Sequence, residues 1–186
     1  MFILGISPGT GFNEARWKAV LASGIDGLMI RERQLEARPL LALVRQVRDL
    51  APSLEVWVNG RLDVALAASC GLHAPEAYPE VPSGLVPLSR PVHSEDQILT
   101  RTACRQWLLG PIFEVPGKGA PWGVERLHRA LDGIAAGPRI LALGGITPAN
   151  SASLRHPRLD GVALIRALAD APEPRRVVEA LRQSWA

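Results

Sequence analysis

Cysteine is scarce in this chain. Cys70 and Cys104 are too few and too isolated to build a disulfide framework or a thiolate metal site, and both read as small buried hydrophobes. Aromatic residues are only 5% of the total and do not alternate with basic ones, so the stacking platform of a single-strand nucleic-acid binder is missing. No apolar run reaches the roughly 18 residues needed to span a bilayer. The opening MFILGIS is short and lacks a basic start, so it does not read as a signal peptide. These absences imply a cytoplasmic protein with neither a nucleic-acid nor a membrane partner. Charge of one sign is not concentrated either. The 21 basic residues against 18 acidic ones leave a net charge of +3, scattered mostly as arginine, which suits a mildly basic pocket for a small anion.

What is present is a regular alternation. A chain of 186 residues, 47% of them hydrophobic, can bury a sizeable core as one domain over 1–186. Short runs that are apolar on both faces occur at 2–7, 26–32, 54–60, 71–74, 85–90, 106–113, 139–145 and 160–166. Stretches with helical character or helix-capping residues follow most of them, at 13–23, 37–50, 62–69, 94–103, 123–136, 147–154 and 173–185. In the second of these, Leu40, Leu41, Val44 and Val47 fall at helical spacing. After 71–74 comes PEAYPEVPSG, whose prolines leave little room for a helix. Strands apolar on both faces belong in a buried parallel sheet. Eight strand–helix units predict a compact (β/α)₈ TIM barrel with a short or irregular fourth helix. A doubly wound open sheet is the alternative. The GISPGTG turn has neither the GxGxxG spacing nor the Lys-Ser/Thr of a phosphate loop.

In such barrels chemistry sits at the carboxyl ends of the strands. Polar residues collect there: the second strand ends with Arg31 and Arg33, two apart and so on one face, the third with Asn59 and Arg61, the fourth at His73 and the fifth at His93. Glu114 and Lys118 follow the sixth, Gly144 and Gly145 the seventh, and Arg166 the eighth. The stretch LGGITPAN places two glycines before Thr147 and Pro148, a helix start that offers free N–H groups to an anion. With the turn at Ile165 and Arg166, this pair of loops is the expected phosphate site. His128 and His156 read as rim or loop residues without a role.

The segments GLMIRER, VNGRLDVALA, GLHAP, LLGPIFE…GKG, LALGGITPAN and DGVALIRAL, in this order, resemble the superfamily of thiamine phosphate synthase and thiazole tautomerase (TenI). The resemblance covers nearly the whole chain and implies a phosphate-binding (β/α)₈ barrel. Synthases of this pattern carry Asn-Asp where this chain has Asn59-Gly60, and that Asp helps hold Mg²⁺ on a pyrimidine diphosphate. They carry a second acidic ligand after the fourth strand, where this chain reads GLHAPEAY with Glu76 nearby. They also often carry Lys at the place of Arg33 and Ser at that of Arg166.

With those acids missing, and with SRPVHSED similar to the tautomerase motif, the resemblance implies the thiazole tautomerase branch. The expectation is an isomerase that aromatises a thiazole carboxylate phosphate, with no metal and no cofactor. His93 is then the catalytic residue. Arg31, Arg33, Asn59 and Lys118 bind the substrate, and Gly144, Gly145, Ile165 and Arg166 bind its phosphate. The alternatives are a Mg²⁺-dependent thiamine phosphate synthase, or a relative that binds a phosphate ligand without turning it over. Whether the chain forms a homo-oligomer is open at this level.

Overall fold

The eight runs form eight parallel strands in a computed structural model, which describes every residue except Phe12, Arg101, Thr102 and Ala135. They are β1 (Phe2–Ile6), β2 (Gly27–Ile30), β3 (Glu55–Asn59), β4 (Gly71–His73), β5 (Leu88–Val92), β6 (Gln106–Leu109), β7 (Arg139–Leu143) and β8 (Gly161–Leu164). Each pairs with the next in sequence, and β8 pairs with β1, so the barrel closes. The open-sheet alternative is thereby set aside.

The helices wrap the outside: α1 (Glu14–Leu21), α2 (Ala37–Leu50), α3 (Leu62–Ala67), α4 (Glu95–Thr100), α5 (Gly123–Asp132), α6 (Pro148–Ser151), α7 (Arg166–Ala169) and α8 (Pro174–Trp185). Local signals start several of them. Asn13 caps α1 by accepting the Arg16 N–H at 3.0 Å. On α2 the buried stripe is Leu40, Leu43, Val44 and Val47, with Leu43 in place of the expected Leu41. The stretch 94–103 is helical over 95–100, and its Arg101 and Thr102 lie outside the described residues, as does Ala135 of 123–136.

No helix forms between β4 and β5, as PEAYPEVPSG leads one to expect. The segment is tied down by Arg90 instead. This β5 side chain is buried, and its guanidinium donates to the carbonyls of Tyr78 and Pro79 at 3.2 Å.

Inside the barrel, alternate strand residues meet. Leu4, Ile6, Met29, Trp57, Leu108, Leu141 and Ala163 form one apolar cluster. A polar ladder runs beside it through β7, β6, β5 and β4. Arg139 pairs with Glu55 at 2.9 Å near the amino ends of the strands and donates to Gln106 Oε1 at 3.2 Å. Gln106 Nε2 donates to Ser89 Oγ at 3.4 Å, and Ser89 meets His73 Nδ1 at 3.0 Å. His73 stands in register with Asn59 at the carboxyl ends of β4 and β3. The mouth is therefore walled differently on its two sides.

Candidate active site

Gly144 and Gly145 follow β7 with φ of +105° and +65°, the left-handed region that side chains disfavour. Contact demands glycine as well. A Cβ on Gly144 would lie 2.7 Å from Pro111 Cα, and one on Gly145 would lie 2.7 Å from Phe113 Cβ. The turn is held by three hydrogen bonds. Phe113 N–H donates to Gly144 O at 3.0 Å, Asn150 Nδ2 donates to Gly145 O at 2.9 Å, and Thr147 N–H donates to Asn150 Oδ1 at 2.8 Å. Asn150, which the sequence reading did not single out, holds this turn with its side chain. Its signal is the Thr-x-x-Asn spacing, a relative of the capping box.

Among the described residues nothing accepts from the N–H groups of Gly145 and Ile146. Across from them, Arg166 and Ala167 open α7, where first-turn N–H groups have no partner within the helix. Together these donors line a cavity of about 530 Å³.

Six of the expected site residues meet in that cavity: Gly144, Gly145, Ile165 and Arg166 on one side, His93 and Lys118 on the other. His93 follows β5, and its Nδ1 lies 2.6 Å from the Gly110 carbonyl oxygen. A carbonyl only accepts, so Nδ1 carries the proton, and Nε2 of the neutral ring is left as an acceptor. The His93 backbone is fixed too, by Gln97 Oε1 at 2.7 Å and by the Trp122 indole at 3.2 Å. Lys118 is exposed on the loop after β6.

Arg31 lines an adjoining cavity of about 530 Å³, which shares Val115, Ile165 and Arg166 with the first. Its Nη2 donates to Pro8 O at 3.1 Å, while Nε is buried with no acceptor. Burial, and after it the charge of Arg33, lowers the Arg31 pKa from its ordinary value. Next to it, Glu32 is also buried. One of its oxygens accepts from Gly11 N–H at 3.1 Å and from Gln34 at 2.8 Å, which pins the loop after β1. Sequence reading gave Glu32 no part.

Arg33 and Asn59 line neither cavity. Arg31 and Arg33 do not share a strand face, because β2 ends at Ile30 and both lie in the loop beyond it. His128 and His156 stack at 5.3 Å, His156 bonds Asp132 at 3.0 Å, and neither histidine reaches these cavities.

A Mg²⁺ ion, which the synthase pattern implies, asks for several oxygen ligands around one point. Gly60 supplies none. Asp63 places both oxygens on Arg61, at 3.0 and 2.7 Å, and Glu76 accepts from Gln97 Nε2 at 2.8 Å. Among the described residues no three His, Cys, Asp or Glu side chains come together in a way that could hold an ion. The donor set does not fit the metal.

Comparison with known proteins bears on the expected activity. The family model described as thiamine monophosphate synthase matches residues 7–168. The thiamine-phosphate synthase of Moorella thermoacetica is 32% identical over 185 residues, covering 89% of this chain and 85% of that protein. That of Thermus thermophilus is 30% identical over 181 residues, covering 90% and 86%. Among solved structures, thiamine phosphate pyrophosphorylase from Pyrococcus furiosus superposes with a TM-score of 0.85 at 20% identity, covering 98% of this chain and 94% of that one.

These relatives carry the name of a transferase, and that overturns the expected thiazole tautomerase and its isomerase class. The expectation leaned on Gly60 and the SRPVHSED loop. Loops at strand ends diverge more freely than the scaffold that carries them, so two loop positions weigh less than similarity along nearly the whole chain. By that similarity the chain belongs to the thiamine monophosphate synthase family.

Proposed function

We propose that this protein is a thiamine-phosphate synthase, a transferase that joins a thiazole phosphate to a pyrimidine diphosphate. The observation that carries the reading is the pair of adjoining cavities, one built for a phosphate and one lined by Arg31, on a chain with synthase relatives over most of its length. Two anionic partners need two anion sites that share a wall.

The chemistry is one substitution. A bond forms between the thiazole nitrogen and the pyrimidine methylene carbon, the bond from that carbon to the diphosphate oxygen breaks, and its electron pair leaves with the diphosphate. The protein's task is to hold the two rings in line and to stabilise charge on the leaving group. Gly145 and Ile146 give backbone N–H groups to the thiazole phosphate, and Arg166 adds a charge-assisted bond. Lys118 closes from the loop after β6. His93 Nε2 faces the bound ligand as a fixed acceptor, and Asn59 lines the inner wall above Trp57. The partners are small anions in a cytoplasmic setting, and no helix among the described residues is long and apolar enough to cross a membrane.

The test supplies purified protein with both substrates and follows the coupled product and diphosphate by chromatography. Equal amounts of the two are expected. Tight binding of thiazole phosphate with no product would identify a binder instead.

A further inference from the structure

We propose that this barrel receives the diphosphate of its second substrate without a divalent cation, the anion being met by the guanidinium of Arg31, with the exposed Arg33 adding positive charge from the same loop. The identity of that anion rests on the coupling reaction above. The metal-free site rests on three features of this chain's own residues.

The first feature is the β3–β4 side of the mouth. Gly60 has φ of +68°, and a Cβ built on it would meet only Pro75 Cγ and Cδ, at 3.8 and 3.9 Å. A carboxylate there has not been crowded out. Space for it exists, and Asp is among the few side chains that tolerate this backbone conformation. The neighbouring acids are committed elsewhere, Asp63 to Arg61 and Glu76 to Gln97. One loose carboxylate would still fall short of what Mg²⁺ requires.

The second feature is Arg31 itself. A buried guanidinium N–H without an acceptor is costly to keep, yet Arg31 Nε is one. The side chain borders the cavity that adjoins the phosphate site. Phosphoryl oxygens are the acceptors that match the planar fork of arginine.

The third feature is the local charge. Arg33 is exposed, has no partner among the described residues, and lies near enough for its charge to act on Arg31. The opposing influence of Glu32 on Arg31 is the weaker of the two. Oε2 of Glu32 serves the loop amide of Gly11 and the side chain of Gln34, while its Oε1 is buried without a partner among the described residues. Two arginines against one glutamate thus leave an excess of positive charge at the strand-two end. A leaving diphosphate needs that excess, and a metal ion supplies it in other designs.

The test is calorimetric binding of inorganic pyrophosphate to the full chain, in EDTA and in excess Mg²⁺. Binding in EDTA that Mg²⁺ does not strengthen is expected. Arg31→Gln should weaken it about tenfold or more and Arg33→Gln by less, about twofold to threefold, while inorganic phosphate at the β7–β8 turn binds as before. Arg31→Lys, which keeps the charge and loses the fork, should fall between Arg31→Gln and the parent and guards against a folding artefact. Pyrophosphate binding that appears only with Mg²⁺, or binding in neither condition, overturns the proposal. So does Mn²⁺ alone captured by the native protein in paramagnetic resonance.

The coupling assay separates the two readings. Product formed only with Mg²⁺ overturns the metal-free site and keeps the reaction. Metal-free pyrophosphate binding without product in either condition overturns the reaction and keeps the site.

Discussion

The two sides of the barrel mouth are built from different material. At the β7–β8 corner the proposed phosphate site is main chain: the N–H groups after Gly144, the first turn of α7, and glycines whose Cβ positions are already taken by Pro111 and Phe113. At the β2–β4 corner everything depends on side chains, namely Arg31, Arg33, Asn59, His73 and the missing one at Gly60. A site made of backbone keeps its chemistry while its sequence drifts, as long as the turn survives. A site made of side chains can lose a metal ligand in one substitution. On the proposed reading the first corner is the part shared with the family, and the second is where this member sets its handling of a second anion.

The comparison breaks most sharply at Gly145. Gly145→Val forces a β-branched residue into φ of +65° against Phe113. It should cost about 2–5 kcal/mol in stability by adding left-handed strain to overpacking. Thermal melting and phosphate titration should show the loss together, and a normal melt with normal affinity would mean that the turn is not the anchor.

Arg166→Ala removes a charge from the same corner without touching the turn. Phosphate affinity should fall about tenfold, the weight of one charged hydrogen bond, with little change in melting. No change would return the whole phosphate site to the backbone.

Asn150→Ala sharpens the contrast from behind, because the Asn150 side chain bonds to the turn at Gly145 O and Thr147 N–H. Two lost bonds should lower stability by about 1–2 kcal/mol and phosphate affinity severalfold, through a turn that no longer holds its shape. Unaltered affinity would show that the glycines hold themselves.

The smallest effect is expected at His93→Gln. It keeps a polar group facing the cavity but loses the imidazole held by Gly110 O. In a coupling enzyme it should raise the KM for thiazole phosphate a few-fold and leave kcat nearly unchanged, as removal of uniform binding does. A collapse of kcat would give His93 a role in the chemical step.

Local chemistry alone settled a good deal about this protein. Eight runs apolar on both faces have no home but a buried parallel sheet, and the prolines of PEAYPEVPSG forbid a helix there whatever surrounds them. Two adjacent glycines before Thr147 and Pro148 announce a tight turn into a helix. These features depend on neighbours in sequence, so they could be read without the fold. Other features depend on neighbours in space. Arg31 and Arg33 look equivalent two residues apart, but β2 stops at Ile30, and the loop puts one against a cavity and leaves the other in solvent. Arg90 looks like a surface arginine in a strand, yet it is buried and binds the carbonyls of a segment that has no helix. Glu32 turns inward because the amide of Gly11, twenty-one residues earlier in the chain, needs an acceptor. Only closure of the barrel decided these, because it fixes which distant backbone groups a side chain must satisfy once water is gone.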